Sequence, residues 1–463
     1  MPWRPHPTMT LTAHIRATLA LGLPLAAAQL AQLAVNTTDT VMIGWLGARE
    51  LAASVLATQA WFMAFMLGSG FLIAVIPIAA QAEGRGDARG ARRAVRMGLW
   101  FALAYSTLAM PALWHADRLL VALGQDPGIS ALAGDYMRIL QWSLYPALLT
   151  MGIRSFLTAR GFGNTILLAT LAGVVLNAFL GYALIFGVWG APALGLAGAA
   201  SAAVASAVLI AAILAFAAMV LPGLAEHAIF ERFWRADWPA LGELLRLGWP
   251  ISATIIAEVG LFAAASILIG WTGTEQLAAH GIALQLSSIA FMIPLGLSQA
   301  ATVRVGQAAG RGDATGVHGA ALGALAVALG LAFVSVTLFL TIPGPLVGLF
   351  LDEALPDAAA VAGHAVGLLA IAAGFQFFDS LQVTSVALLR GVHDTRTPMA
   401  IAVFSYWGIG LPAAWLAGFP LGLGAPGVWM GLASGLAFAS ALLTWRFFHF
   451  SGARGQKKNH SDS

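Results

Sequence analysis

The stretch LGWPISATIIAEVGLFAAASILIGWTG, Leu247–Gly273, is apolar enough to cross a bilayer, yet it carries Glu258 near its centre. A hydrocarbon core of about 30 Å takes roughly 20 apolar residues in helical form. An acid at that depth costs about 2.5–3.5 kcal/mol on insertion scales. A second stretch, LGLPLAAAQLAQLAVNTTDTVMIGWLG, Leu21–Gly47, opens on the same Leu-Gly-x-Pro and closes on the same Gly-Trp-x-Gly, with its acid at Asp39 instead. One element occurs twice, and its acid has moved.

Working outward, segments of this kind fill nearly the whole chain. Of 463 residues, 59% are hydrophobic and only 9% charged, against roughly 25% charged in a soluble domain. The sequence predicts about twelve spans, near 17–46, 52–80, 93–114, 131–157, 164–188, 194–221, 244–271, 280–304, 317–341, 361–389, 397–419 and 425–449. Long continuous runs of Leu, Ala and Ile specify helices, because a membrane strand would alternate apolar and polar residues. The fold class is an all-α integral membrane protein. With the N-terminus inside, every Lys and Arg except Arg49, Arg118 and Arg138 falls in cytoplasmic loops or tails, as the positive-inside rule demands. Both termini are then cytoplasmic, in a bacterial-type plasma (inner) membrane. The net charge of +3 reflects this topology, so no nucleic-acid partner is expected, and the absence of Cys excludes thiol chemistry. Ala26-Ala27-Ala28 resembles a signal-peptide cleavage site, but the near copy at Leu247 argues that the first span is retained.

The repetition continues. QAEGRGDARG at Gln81 recurs as QAAGRGDATG at Gln307, with the same offset of 226 that relates Leu21 to Leu247. RGFGNT at Arg160 matches RGVHDT at Arg390, offset 230, and GAPALGLAGAASAAVASA at Gly190 matches GAPGVWMGLASGLAFASA at Gly424, offset 234. Six helices are repeated, and an even number of crossings gives two parallel repeats, an arrangement found in secondary transporters. The expected organisation is an N-terminal six-helix lobe over 1–221, a cytoplasmic linker over 222–243, a C-terminal six-helix lobe over 244–450 and a polar tail over 451–463. The aromatic, mixed-charge segment 221–246 suits an interfacial helix.

Of the 20 Asp and Glu residues, Asp39, Glu258 and Asp379 alone fall well inside spans. Gln29, Gln32, Asn36 and Asp39 share one helical stripe; Thr254 pairs with Glu258 at i, i+4, and Gln376 lies beside Asp379 and Ser380. Hydrogen-bonded helix glue explains Gln29, Gln32 or Thr254 singly as well as function does. Three acids with no Lys or Arg expected at their depth point instead to proton or cation handling. The lobes differ here: Asp39 aligns with Ala265, and Glu258 with Gln32.

Pro24, Pro250 and Pro294 could break helices near a site, although ordinary transmembrane kinks are commoner. The clusters Trp61-Phe62-Met63, Phe65-Met66 and Phe291-Met292 could line a pliable cavity or simply pack. His280 and His393 have no carboxylate or Cys at metal spacing and read as non-ligands.

VNTTDTVMIG (Val35–Gly44), GWPISATIIAEVGLF (Gly248–Phe262), HGIALQLSSIAFMIPLGLSQAATVRVGQAAG (His280–Gly310) and FQFFDSLQVTSVALLRGVHDTRTP (Phe375–Pro398) together resemble the multidrug and toxic compound extrusion (MATE) family, NorM-type branch, over almost the full chain. The resemblance implies a two-lobed, twelve-helix secondary exporter, not an enzyme, that exchanges small, mostly cationic drugs for H⁺ or Na⁺. It places the family's N-lobe acid on Asp39, with a fifth-helix asparagine at Asn177, and the C-lobe acids on Glu258 and Asp379; the polar neighbours read above add Gln32, Asn36 and Gln376 as supporting groups. No cofactor and no certain metal ligand are implied; the expected partners are drugs and membrane lipids, and the expected state is a monomer.

Ligand count favours H⁺. Sodium needs several oxygens to replace its hydration shell, whereas desolvation alone favours the protonated form of a carboxyl group. The position four after Asn177, often a carboxylate or amide in relatives, is Gly181; a hydroxyl expected on the sixth helix is Ala203; and the Tyr of sodium-linked relatives four before Asp379 is Phe375. A flippase for lipid-linked precursors would want a cationic cavity, and an intramembrane enzyme would want a DDxxD, HExxH or Ser/His cluster at depth. Neither pattern stands out in the sequence.

Overall fold

The computed structural model describes residues 9–351 and 357–459; Arg4, counted in the charge bias above, and residues 460–463 of the expected tail lie outside this range. Among the described residues every regular element is a helix. We label the membrane helices α1 (Leu11–Gly44), α2 (Ala48–Gly84), α3 (Ala88–Trp114), α4 (two pieces, Pro127–Leu140 and Leu144–Ala159), α5 (Gly163–Phe186), α6 (Leu196–Val220), α7 (Trp238–Gly270), α8 (Thr274–Arg311), α9 (Ala314–Thr341), α10 (Ala358–Gly391), α11 (Arg396–Gly418) and α12 (Gly424–His449). The helix of α12 continues to Asn459. Eleven are long and apolar enough to span a bilayer. The twelfth, α4, is broken by a 3₁₀ turn at Gln141–Ser143.

Proline explains that break. Pro146 has no N–H to donate and its ring crowds the carbonyl four residues back, at Trp142 within the turn. Pro77 acts likewise on α2, which is interrupted at Ala74, and Pro412 follows a π-helical turn over Phe404–Gly410 in α11. Pro24, Pro250 and Pro294, for which ordinary kinks were the commoner expectation, lie inside uninterrupted helices.

Ala27–Ser252 form one compact unit, the N-unit; residues up to Ala26 and from Ala253 onward form a second, the C-unit. The first part of α1 therefore belongs to the C-unit, and the first part of α7 to the N-unit. In the C-unit, Gly22 meets Leu297 and Gly296 meets Ala26; in the N-unit, Gly248 meets Phe71 and Gly70 meets Ser252. Each member lies 226 positions from its counterpart. A Cβ on Gly248 would stand 2.6 Å from Phe71 Cα, so glycine is required for the helices to approach.

The two GRGD loops are also built alike. Gly86 and Gly312 take left-handed φ values of 71° and 73°, ending one helix, and Asp87 and Asp313 cap the next by accepting from Gly90 N at 2.8 Å and Gly316 N at 2.7 Å. The linker departs from expectation. It has turns and one 3₁₀ turn, Ala225–His227, and no interfacial helix before Trp238. Pro222-Gly223 and left-handed Ala228 and Arg232 preclude one. Within the N-unit, Arg92 holds Glu231 at 2.8 Å, Arg93 holds Asp237, and Trp100 Nε1 donates to Phe233 O at 2.8 Å.

Candidate functional site

In the N-unit, α1 carries Asp39 to a half-buried position where carboxylate oxygen Oδ1 is enclosed and accepts no hydrogen bond. The Asn177 side chain, brought by α5 and almost fully buried, lies beside Asp39. Its Nδ2 also lies 3.5 Å from Ser206 Oγ on α6. Tyr136, buried on the first piece of α4, sits near Thr58 and in the electrostatic field of Asp39. Gln32 and Asn36, the expected supporting groups, are exposed. Beside the pair, α1 and α5 border a groove of about 430 Å³ lined by Thr37, Thr38, Met42, Trp45, Ala178 and Tyr182, among others.

In the C-unit, Glu258 on α7 and Asp379 on α10 lie within each other's electrostatic reach. Asp379 is 4% exposed and its Oδ1 accepts no hydrogen bond. Gln376 and Ser380, both buried, likewise leave side-chain polar atoms without a partner. The π-helical turn of α11 adds Tyr406, fully buried, its hydroxyl unbonded and in the field of Glu258, Asp379 and Arg390. π-Helical turns often mark functional sites. This one is pinned where Trp407 Nε1 donates to Ala257 O at 3.1 Å, next to Glu258. Each unit thus encloses carboxylate oxygens beside neutral hydroxyls and amides, an arrangement that can accept a cation or a proton. Among the described residues no three His, Asp or Glu side chains converge to hold a metal.

A family model described as MatE matches residues 24–183 and 250–416, taking in Asp39, Asn177, Glu258, Asp379 and Tyr406. The chain belongs to the MatE family. It is 52% identical over 435 residues to the "Probable multidrug resistance protein NorM" of Rhizobium meliloti (strain 1021), covering 94% of this chain and 93% of that one. It is 51% identical over 435 residues to the protein of the same name from Agrobacterium fabrum, covering 94% of each. Among solved structures, the eukaryotic MATE transporter AtDTX14 superposes with a TM-score of 0.79 at 19% identity, covering 95% of this chain and 96% of that one. A MATE crystal structure in the straight conformation gives 0.86 at 20% identity, covering 96% and 97%. These structures share the fold, and the family match with relatives named as multidrug resistance proteins sets the intramembrane-enzyme alternative aside.

This MatE chain fills its expected oxygen gaps unevenly. At Gly181, a Cβ would stand 2.8 Å from Met42 Cε, so a methionine methyl crowds the start of any side chain there. Phe375 packs edge-on against Trp429 and Phe262, with ring centroids 5.5 and 5.9 Å away. Trp429 in turn donates to His280 Nδ1 at 3.1 Å, while His280 Nε2 is 3.0 Å from Ser266 Oγ; His280 is a satisfied core residue. The hydroxyl sought at Ala203 comes from Ser206, one turn on, and the oxygen missing at Phe375 has a counterpart in Tyr406. Sequence reading also missed two cations. Arg390 lies in the field of Glu258, and Arg154 Nη2 donates to Gln29 Oε1 at 2.6 Å. Both sit near helix ends and look like loop charges until packing turns them inward. One signal was available: Tyr406 is one of only 5 tyrosines and stands six residues before a mid-span proline.

Proposed function

We propose that this MatE protein is a secondary active multidrug exporter of the bacterial inner membrane, with both termini cytoplasmic, working as a monomer and exchanging amphipathic, mostly cationic compounds for H⁺. The names of its NorM relatives support the drug substrates. The observation that carries the exchange is the Glu258–Asp379 pair in the C-unit, with the Arg390 guanidinium in the field of Glu258. Two like charges in a low-dielectric site repel, and one incoming positive charge relieves the repulsion. A substrate ammonium and a proton both supply that charge, and once either has done so the attraction for the other falls. Mutual exclusion of this kind, with different affinities in two conformations, is sufficient for antiport.

Protons are favoured over Na⁺ because Met42 and Phe375 put apolar groups where a hard cation would want oxygens. The two added hydroxyls, Ser206 and Tyr406, belong to different units, one each. In proteoliposomes, an imposed pH gradient at zero Na⁺ should drive movement of a cationic dye, and a Na⁺ gradient at clamped pH should not. Dye movement that follows the Na⁺ gradient alone would refute proton coupling.

A further inference from the structure

The export cycle above gives no task to the base of α1, which the C-unit grips through one histidine. His14 is 6% exposed and Thr18, one turn on, 1%. Arg304 of α8 reaches both: Nη1 donates to His14 O and to Thr18 Oγ1, each at 2.6 Å, and Nη2 lies 2.7 Å from His14 Nδ1. A guanidinium only donates, so Nδ1 is the acceptor and the ring, uncharged, carries its one proton on Nε2. On the other side, Gly319 and Gly323 of α9 make a notch for the imidazole. A Cβ at Gly319 would stand 2.3 Å from Nε2, and one at Gly323 2.8 Å from His14 Cβ, so the ring is held between a guanidinium and a helix backbone. A second proton on the ring would sit on Nδ1, facing the guanidinium. Protonation of His14 and the Arg304 contact therefore exclude each other.

The repeat supplies a contrast. At the offset of 226, His14 corresponds to Ala240, Arg304 to Ile78 and Gly319 to Arg93. The base of α7 in the N-unit is held by an ion pair instead: Arg93 and Arg96 of α3 bind Asp237, whose Oδ1 accepts from Ala240 N at 3.2 Å. A carboxylate keeps its charge, and with it that contact, down to about pH 4, whereas an imidazole freed from its partner takes up a proton below about pH 6.5. The charged groups acting on His14 are Arg304 from α8 and Asp313, the N-cap of α9, whose Oδ1 is already engaged by Gly316 N at 2.7 Å. Mild acid thus acts on the base of α1 and spares the base of α7.

We propose that His14 and Arg304 form a latch that holds the base of α1 in the C-unit while the imidazole is neutral, and that acidification on the cytoplasmic side opens the latch and slows export. The effect on export, and the side on which the latch lies, rest on the export reading above. Hydrogen exchange of the purified protein, corrected for intrinsic rate, reads the latch itself. Opening coupled to uptake of one proton grows up to tenfold per pH unit below about 6.5, so protection of residues 11–18 should fall about thirtyfold between pH 7.5 and 5. Residues 237–241, at the base of α7, should stay constant. His14→Asn keeps an acceptor near the place of Nδ1 and takes up no proton, so its protection should be flat over this range. In proteoliposomes with the pH difference across the membrane held fixed, lowering the cytoplasmic-side pH from 7.5 to 6 should slow wild-type export of a cationic dye about two- to fourfold more than export by His14→Asn. Wild-type protection that is flat to pH 5, or that loosens equally in His14→Asn, overturns the latch. The expected exchange with identical pH profiles of export in the two proteins overturns its effect on export. No export by either protein at any pH refutes the export reading, and the latch is then decided by exchange alone. Should His14→Asn fail to fold, the wild-type contrast between the two helix bases decides.

Discussion

The arginine that opens RGFGNT in the N-unit and its counterpart in RGVHDT in the C-unit occupy equivalent places and have different partners. Arg160 is bound by Glu83 at 2.5 Å; Glu83 also holds buried His227 at 2.6 Å, and Arg160 reaches Gly223 O at 2.8 Å. In the C-unit the position of Glu83 is Ala309, so Arg390 has no such carboxylate and lies in the field of Glu258 instead. One substitution within a repeated loop separates a cation spent on architecture from one available to the buried acids. The units keep the same close helix approaches and the same capped loops, and diverge where charge is placed.

The comparison breaks most severely if the acids are removed. Glu258→Gln and Asp379→Asn should each lower drug export by about a hundredfold or more, with insertion intact because amides are easier to place in hydrocarbon. Asp39→Asn should act similarly through the N-unit. Resistance assays alongside quantified membrane protein check this, and wild-type resistance in all three variants would defeat it.

Next in size, Tyr406→Phe should lower export about fivefold without lowering the midpoint of thermal unfolding, since its hydroxyl makes no hydrogen bond to lose. An unchanged export rate would make Tyr406 a packing residue. Ala309→Glu tests the repeat itself. It would give Arg390 the carboxylate that Arg160 has, one turn from the point where α8 residue Val305 packs on Gly391. Export should fall a few-fold while stability changes by no more than about 1 kcal/mol. The converse, Glu83→Ala, strands the half-buried Arg160 guanidinium and removes a partner of the buried His227 ring, and should cost about 2–3 kcal/mol of stability, read by thermal unfolding in detergent.

The smallest effect concerns the linker. Hydrogen bonding from Arg93 holds the Asp237 carboxyl below the usual carboxylate range. A lowered folded value means the contact stabilises fully above the unfolded value near 4 and is lost as pH falls through the folded one. Hydrogen exchange corrected for intrinsic rate should therefore show constant protection of residues 228–237 between pH 7 and 5, and loosening only in stronger acid.

Much of this was legible in the sequence. The span count, the repeat and its offset of 226 come from composition and near-identical stretches, and the offset reappears in Gly22, Gly70, Gly248 and Gly296. Asp39, Glu258 and Asp379 were legible because acids in hydrocarbon are expensive. What was illegible depends on tertiary approach. No periodicity reveals that Ser206 rather than Ala203 meets Asn177, that a π-helical turn brings Tyr406 to the acids, or that Arg154 and Arg390 turn inward. The helix breaks were illegible for a similar reason: every proline offers one, and surroundings select Pro77, Pro146 and Pro412.

The central claim is that substrate and proton compete for the Glu258–Asp379 pair. It is tested most directly by adding a cationic substrate to purified protein in weakly buffered detergent solution and measuring proton release. The wild type should acidify the solution as substrate binds, with little or no release from the Glu258→Gln, Asp379→Asn double variant. Saturable substrate binding to the wild type with no proton release, or release undiminished in the double variant, would contradict it.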